Sequence, residues 1–187
     1  MGRQWGDVAV LVPVKAFHRA KVRLSGAMPD EERATLARSM ATHVLQCAGG
    51  LAVAVVCDDP EVAAWAEEQG ALVVWEPGRG LNLAVEAGVD RLADKGVRRV
   101  IVTHADLPLA RDLRWVGSFS GVTLVPDRIA DGTNAACVPT RRGFRFFYGA
   151  GSFAKHADEA RRLSLPLRIV REPSLAHDVD LPADLLT

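Results

Sequence analysis

Four short apolar runs, the first three each followed by a stretch with helical spacing, constrain this 187-residue chain more than any other feature. Residues 8–14 are apolar without interruption except at Pro13, the pattern of a strand buried on both faces. Residues 51–56, 71–75 and 100–103 repeat that pattern. Between the first two runs, Asp30-Glu31-Glu32 places negative charge where a helix start favours it. Leu36, Met40, Val44 and Ala48 then recur on one helical face, and Gly49-Gly50 closes the helix. Asp58-Asp59-Pro60 opens a second helix that runs to Gln69 and stops at Gly70. A third carries Leu81, Val85, Val89 and Leu92 and ends near Gly96. Strands alternating with helices in this way predict a mostly parallel sheet covered by helices on both faces.

The rhythm changes after residue 105. Residues 122–125 and 135–138 read as strands joined by a loop with Asp127, Asp131 and Gly132, which predicts some antiparallel pairing. Residues 152–163 read as a helix, 167–170 as a strand and 182–186 as a terminal helical turn. At ~150 residues per domain, and with no repeat or linker, the expectation is one α/β domain over residues 1–187.

Charge excludes several functions. Lys plus Arg equal 23 and Asp plus Glu equal 23, so nothing electrostatic favours nucleic acid or a membrane surface. Cys47, Cys57 and Cys137 lie far apart and are odd in number, which argues against disulfides and a C-x-x-C zinc site and fits a reducing compartment. No apolar run nears the ~20 residues of a membrane span, and the first residues lack a signal-peptide core. The expectation is a cytoplasmic protein without nucleic-acid or membrane partners. Trp5, Trp65, Trp75 and Trp115 read as packing residues.

Open parallel sheets bind ligands beyond the carboxyl ends of their strands. Asp106 follows the fourth strand, either as a turn carboxylate or as a metal ligand. Asp178 and Asp180, at i and i+2, would face one side of an extended chain, and two carboxylates so close favour a cation between them. Asp180 before Leu181-Pro182 also reads as a helix cap. Lys15, Lys21 and Arg23 put three cations after the first strand, as a solvated basic loop or a triphosphate site. Gly78-Arg79-Gly80 leads into a helix, with Asn82 either as its cap or against a base. Thr133 and the run Gly149-Ala150-Gly151-Ser152 offer hydroxyls and backbone N–H groups to an anion, with helix capping as the other reading for Ser152. A Walker A loop and a G-x-G-x-x-G after the first strand are both absent.

Together these segments resemble the 2-phospho-L-lactate guanylyltransferase family of coenzyme F-420 biosynthesis. The matching pieces, in order, are Val12-Pro13-Val14-Lys15, Ala20-Lys21-Val22-Arg23-Leu24, Gly78-Arg79-Gly80-Leu81-Asn82, Ala105-Asp106-Leu107-Pro108, Gly132-Thr133-Asn134, Tyr148-Gly149-Ala150-Gly151-Ser152 with His156, and Asp178-Val179-Asp180. The resemblance implies a Rossmann-like, glycosyltransferase-A-like nucleotidyltransferase. Such an enzyme joins GMP from GTP to 2-phospho-L-lactate, phosphoenolpyruvate or 3-phospho-D-glycerate and releases pyrophosphate. It further implies Mg²⁺ on Asp106, Asp178 and Asp180, with Lys15, Lys21, Arg23 and Asp106 as the catalytic set. The nucleotide would lie against Lys15, Lys21, Arg23, Gly78, Arg79, Gly80 and Asn82, and the phospho-acid against Thr133, Gly149, Gly151 and Ser152. Two positions depart from the family pattern: Ala150 replaces a proline and Ala105 a glycine. The other readings are a nucleotidyltransferase with a different phosphorylated acceptor and a non-catalytic GTP-binding module. Edge strands in this fold class leave a homodimer open.

Overall fold

A computed structural model describes residues 5–180 and 182–186. Seven strands form one sheet: β1 (Val8–Pro13), β2 (Ala52–Cys57), β3 (Leu72–Trp75), β4 (Arg99–Thr103), β5 (Val122–Pro126), β6 (Thr133–Pro139) and β7 (Leu167–Ile169). Their spatial order is β3-β2-β1-β4-β6-β5-β7. The first four are mutually parallel, β5 and β7 pair parallel, and β6 runs antiparallel to both of its neighbours. Five helices accompany them: α1 (Asp30–Gln46), α2 (Pro60–Glu68), α3 (Gly80–Ala93), α4 (Ser152–Arg162) and the single turn α5 (Pro173–Ala176).

The sheet is buried on both faces, as its apolar strands require. Side chains alternate along β1, so Val10 and Val12 join Val44, Val62 and Trp65 of α1 and α2 in one core. Ala9 and Leu11 join Val85, Val89 and Leu92 of α3 in the other, to which α4 adds Ala157 and Ala160. Gly88 sets how closely α3 lies on β1. A Cβ there would sit 2.6 Å from a methyl of Leu11.

Helix starts differ in how they are satisfied. Asp59 caps α2 by accepting from Glu61 and Val62 N–H at 3.0 and 3.2 Å, with Pro60 in the first turn. Neither expected cap of the other type forms. Asn82 lies inside the first turn of α3, and α4 follows Gly151 (φ 69°) with no side-chain cap from Ser152. Instead the Asp131 carboxylate accepts from Gly151 N–H at 3.2 Å. The cap of α4 is thus contributed by the β5–β6 loop.

Reversing β6 has a local consequence for the ligand edge. The carboxyl ends of β1 and β4 and the amino end of β6 share one rim, and His104 N–H donates to Asn134 O at 2.9 Å across it. Thr133 reaches that rim by beginning a strand, whereas Lys15 and Asp106 reach it by following one.

Candidate active site

Beyond the ends of β1–β4 lies a cavity of about 440 Å³, lined by Lys15, Lys21, Asp58, Glu76, Asp106 and Asp180 among others. Asp58 and Glu76, two acidic side chains that follow β2 and β3, were not singled out in the sequence. Only their position one residue after a strand end could have flagged them.

At one end of the cavity Lys21 holds two carboxylates. Its ammonium donates to Asp106 Oδ2 and, at 3.1 Å, to Asp180 Oδ1, and Arg23 approaches Asp180 at 3.5 Å. Burial disfavours the Lys21 charge, yet Asp106 and Asp180 outweigh it and raise its pKa above the ordinary lysine value. For Asp106, burial is likewise outweighed by His104 and Lys21, and its carboxyl lies below the ordinary range. Asp106 Oδ1 is buried without a hydrogen-bond partner, and His104 Nδ1 stands 3.9 Å from it.

The loop that carries Lys21 is fixed from α1. Lys21 adopts a left-handed backbone (φ 56°), rare without glycine. Arg33, buried on α1, donates to Ala20 O at 2.8 Å and to Asp30 at 2.6 Å, so the turn is anchored just before the lysine. Leu24, Met40 and Val179 pack together beneath it. Val179 N–H also donates to Asp106 O at 3.2 Å, which brings the late segment 177–180 against the β4 loop.

Of the three aspartates predicted to converge, Asp106 and Asp180 meet at Lys21. Asp178 turns instead to Asn134, whose carboxamide donates to it at 3.4 Å and to Leu175 O at 3.0 Å. Among the described residues no three Asp, Glu, His or Cys side chains form a ready metal cage. The donor set still suits a hard divalent cation, because Asp106 offers an unpartnered buried oxygen and Asp180 a second carboxylate on the same ammonium.

Other predicted residues spread around the rim. Lys15 is exposed and lines the cavity with Gly80, while Gly78 (φ 74°) and Arg79 lie exposed at its edge, Arg79 paired with Glu76 at 3.1 Å. The carboxamide of Asn82, expected at a cap or a base, is spent on Tyr148. Asn82 Oδ1 accepts from Tyr148 N–H at 2.6 Å and Nδ2 donates to Tyr148 O at 3.4 Å.

That pair belongs to a larger device. Residues 145–148 form no strand, and four successive N–H groups are each received by a helix side chain. Arg145 donates to Glu159 at 3.1 Å, Phe146 to Glu86 at 3.0 Å, Phe147 to His156 Nε2 at 2.8 Å and Tyr148 to Asn82. The acceptors alternate between α4 and α3, as the opposed N–H directions of an extended chain demand. Asn82 and Glu86 are one helical turn apart, about 6 Å, which matches two extended residues at about 3.3 Å each.

This strap leads into the acceptor loop predicted from sequence. Gly149 (φ 120°) and Gly151 occupy backbone conformations that suit glycine, and Ser152 is buried at the start of α4. Since His156 Nε2 accepts from Phe147, its Nδ1 carries the proton and donates to Thr133 Oγ1 at 3.0 Å. Burial lowers the His156 pKa to about 4, so the ring stays neutral. That leaves the threonine O–H as a donor.

Comparison with known proteins agrees with this fold. A family model described as guanylyl transferase CofC like matches residues 8–187. The chain is 37% identical, over 94% of its length and 89% of the relative, to a phosphoenolpyruvate guanylyltransferase of Sphaerobacter thermophilus. It is 29% identical, over 94% of its length and 80% of the relative, to a 2-phospho-L-lactate guanylyltransferase of Methanocaldococcus jannaschii. Among solved structures, one assigned to the nucleotide-diphospho-sugar transferases, from Desulfovibrio desulfuricans, superposes with a TM-score of 0.75 at 16% identity, covering 96% of this chain and 84% of that one. A CMP:2-keto-3-deoxy-manno-octonic acid synthetase gives 0.56 at 12% identity, covering 97% and 96%. At those identities the likeness concerns the fold.

Proposed function

Since the chain belongs to the CofC-like guanylyl transferase family, we propose that it transfers GMP from GTP to a three-carbon phospho-acid and releases pyrophosphate. The observation that carries this reading is the Lys21, Asp106 and Asp180 cluster at the mouth of a cavity beyond the ends of β1–β4. Strand ends of such sheets are where nucleotides bind.

Lys15, Lys21 and Arg23 hold the triphosphate, and the Gly78–Gly80 loop lets the nucleotide approach the start of α3. A phosphate oxygen of the acceptor attacks the α-phosphorus in line. The new P–O bond forms as the α–β bridge breaks, and pyrophosphate departs with the displaced electron pair. That oxygen is already ionised, so no general base is needed, in keeping with a site built from cations and carboxylates. Mg²⁺, held by Asp106 and Asp180 with Asp178 nearby, would neutralise phosphate charge. Thr133, Gly149, Gly151 and Ser152 receive the acceptor's anionic groups. A product of this kind would enter coenzyme F-420 biosynthesis, as the family resemblance implies.

The test is pyrophosphate release with GTP, Mg²⁺ and phosphoenolpyruvate, 2-phospho-L-lactate or 3-phospho-D-glycerate in turn. Turnover with at least one acceptor, lost when ATP replaces GTP or when the metal is chelated, is expected. Release that does not depend on any phospho-acid would overturn the reading.

A further inference from the structure

The carboxamide of Asn82 faces backbone, although its position in the first turn of α3 puts it within three residues of Gly80 and the cavity rim. It binds both polar groups of one residue, Tyr148, which immediately precedes Gly149. We propose that Asn82 is a positioning residue that couples the nucleotide loop to the acceptor loop, rather than a contact to the base. The inference rests on the functional reading above, which places the two substrates at those two loops.

Three observations support it. First, the strap 145–148 pairs with no strand among the described residues, so its backbone N–H groups depend on Asn82 and Glu86 from α3 and His156 and Glu159 from α4. Backbone N–H groups must find partners, and here side chains supply them all. Second, Asn82 is the final clamp before the glycines, the last point at which α3 can set the direction of the loop. Third, Tyr148 lies edge-on to both His104 and His156, with ring centroids 5.3 and 5.0 Å away. His104 stands beside Asp106, and His156 orients Thr133. Moving Tyr148 therefore disturbs the contacts of both substrates' residues, and Asn82 is what holds its backbone.

The coupling runs in one physical direction as readily as the other. A nucleotide that settles the Gly78–Gly80 loop settles the first turn of α3, and with it the amide that grips Tyr148. Binding at one loop then lowers the ordering cost at the other.

Initial rates with GTP and the preferred phospho-acid varied independently, together with hydrogen exchange of the 148–152 amides, test the proposal. In Asn82→Ala the acceptor KM at saturating GTP should rise about tenfold, the upper range for lost hydrogen bonds, with the GTP KM extrapolated to low acceptor changed less than about twofold. Asn82→Asp, which keeps an oxygen for Tyr148 N–H but loses the donor to Tyr148 O, should recover part of the loss. Added GTP should slow exchange at 148–152 in the wild-type protein and not in Asn82→Ala. A raised GTP KM with an unmoved acceptor KM would return Asn82 to the nucleotide site and overturn the coupling alone. GTP binding that leaves 148–152 exchange unchanged in the wild type would do the same. If the wild-type protein turns over GTP with none of the three phospho-acids, the functional reading falls and the coupling with it.

Discussion

On the rim formed by β1 and β4, a lysine and an arginine meet two aspartates, and one of those carboxylates keeps an unpartnered buried oxygen. On the rim formed by the start of β6 and residues 145–152, backbone N–H groups meet helix side chains, and a neutral histidine aims a threonine hydroxyl. The first half is held by mutual attraction of charges that a ligand must rearrange. The second is held by fixed donors and acceptors that are largely satisfied within the protein. Under the proposed function the two halves take different ligands. A triphosphate with a divalent cation replaces an internal ion cluster, whereas a small phospho-acid needs preset hydrogen bonds.

Substitutions at the two halves should therefore fail in different ways. Asp106→Asn removes a charge from the ion cluster but little packing, and turnover should drop about a hundredfold to a thousandfold. Lys21 keeps Asp180, so thermal unfolding should move by only a few degrees. Wild-type turnover of this variant at saturating Mg²⁺ would erase the distinction between the halves.

His156→Gln should act on stability with pH. The folded protein holds His156 near pKa 4 against an ordinary 6.5, so the unfolded chain binds the extra proton between those values. The contribution of the neutral ring is complete above about pH 6.5 and falls away toward pH 4, by about 3 kcal/mol in all. Asp106 and Glu159, with carboxyls below their ordinary values, lose their contributions only as pH falls further. Denaturant unfolding at several pH values should show that slope in the wild type and a flatter profile in His156→Gln. Parallel profiles would remove His156 as the pH-sensitive member of the acceptor half.

The smallest effect is expected at Ser152. Ser152→Ala should raise the acceptor KM about threefold to tenfold, with the GTP constant nearly unchanged. A rise in the GTP constant alone would mean that the two halves are assigned the wrong way round.

Much of this architecture was legible before any coordinates. The buried strands and the amphipathic helices repeat at periods that sequence displays, and the change of rhythm after residue 105 did mark the reversed strand, β6. Short 3₁₀ turns at Phe17–Arg19, Val22–Leu24 and Arg114–Ser118 went unseen because three to five residues carry no period. At the site, charge and position after strands pointed to Lys21 and Asp106. The i, i+2 spacing singled out Asp178 and Asp180 together, yet 178–180 is not a strand and Val179 is pulled into contact with Leu24 and Met40, so the two carboxylates find different partners. The strap was invisible for a different reason. Its partners, at 82, 86, 156 and 159, are joined to it by side-chain-to-backbone bonds, which leave no pattern in composition or spacing.

The single bond from Val179 N–H to Asp106 O has a consequence for the order in which the protein is made. During synthesis β1 to β4 leave the ribosome well before residues 177–180, so the parallel half of the sheet can gather while Asp180 is still unmade. At that stage Lys21 has one carboxylate for company instead of two. The nascent chain thus carries a sheet without a finished binding edge, and ligand competence arrives only when residues 177–180 dock.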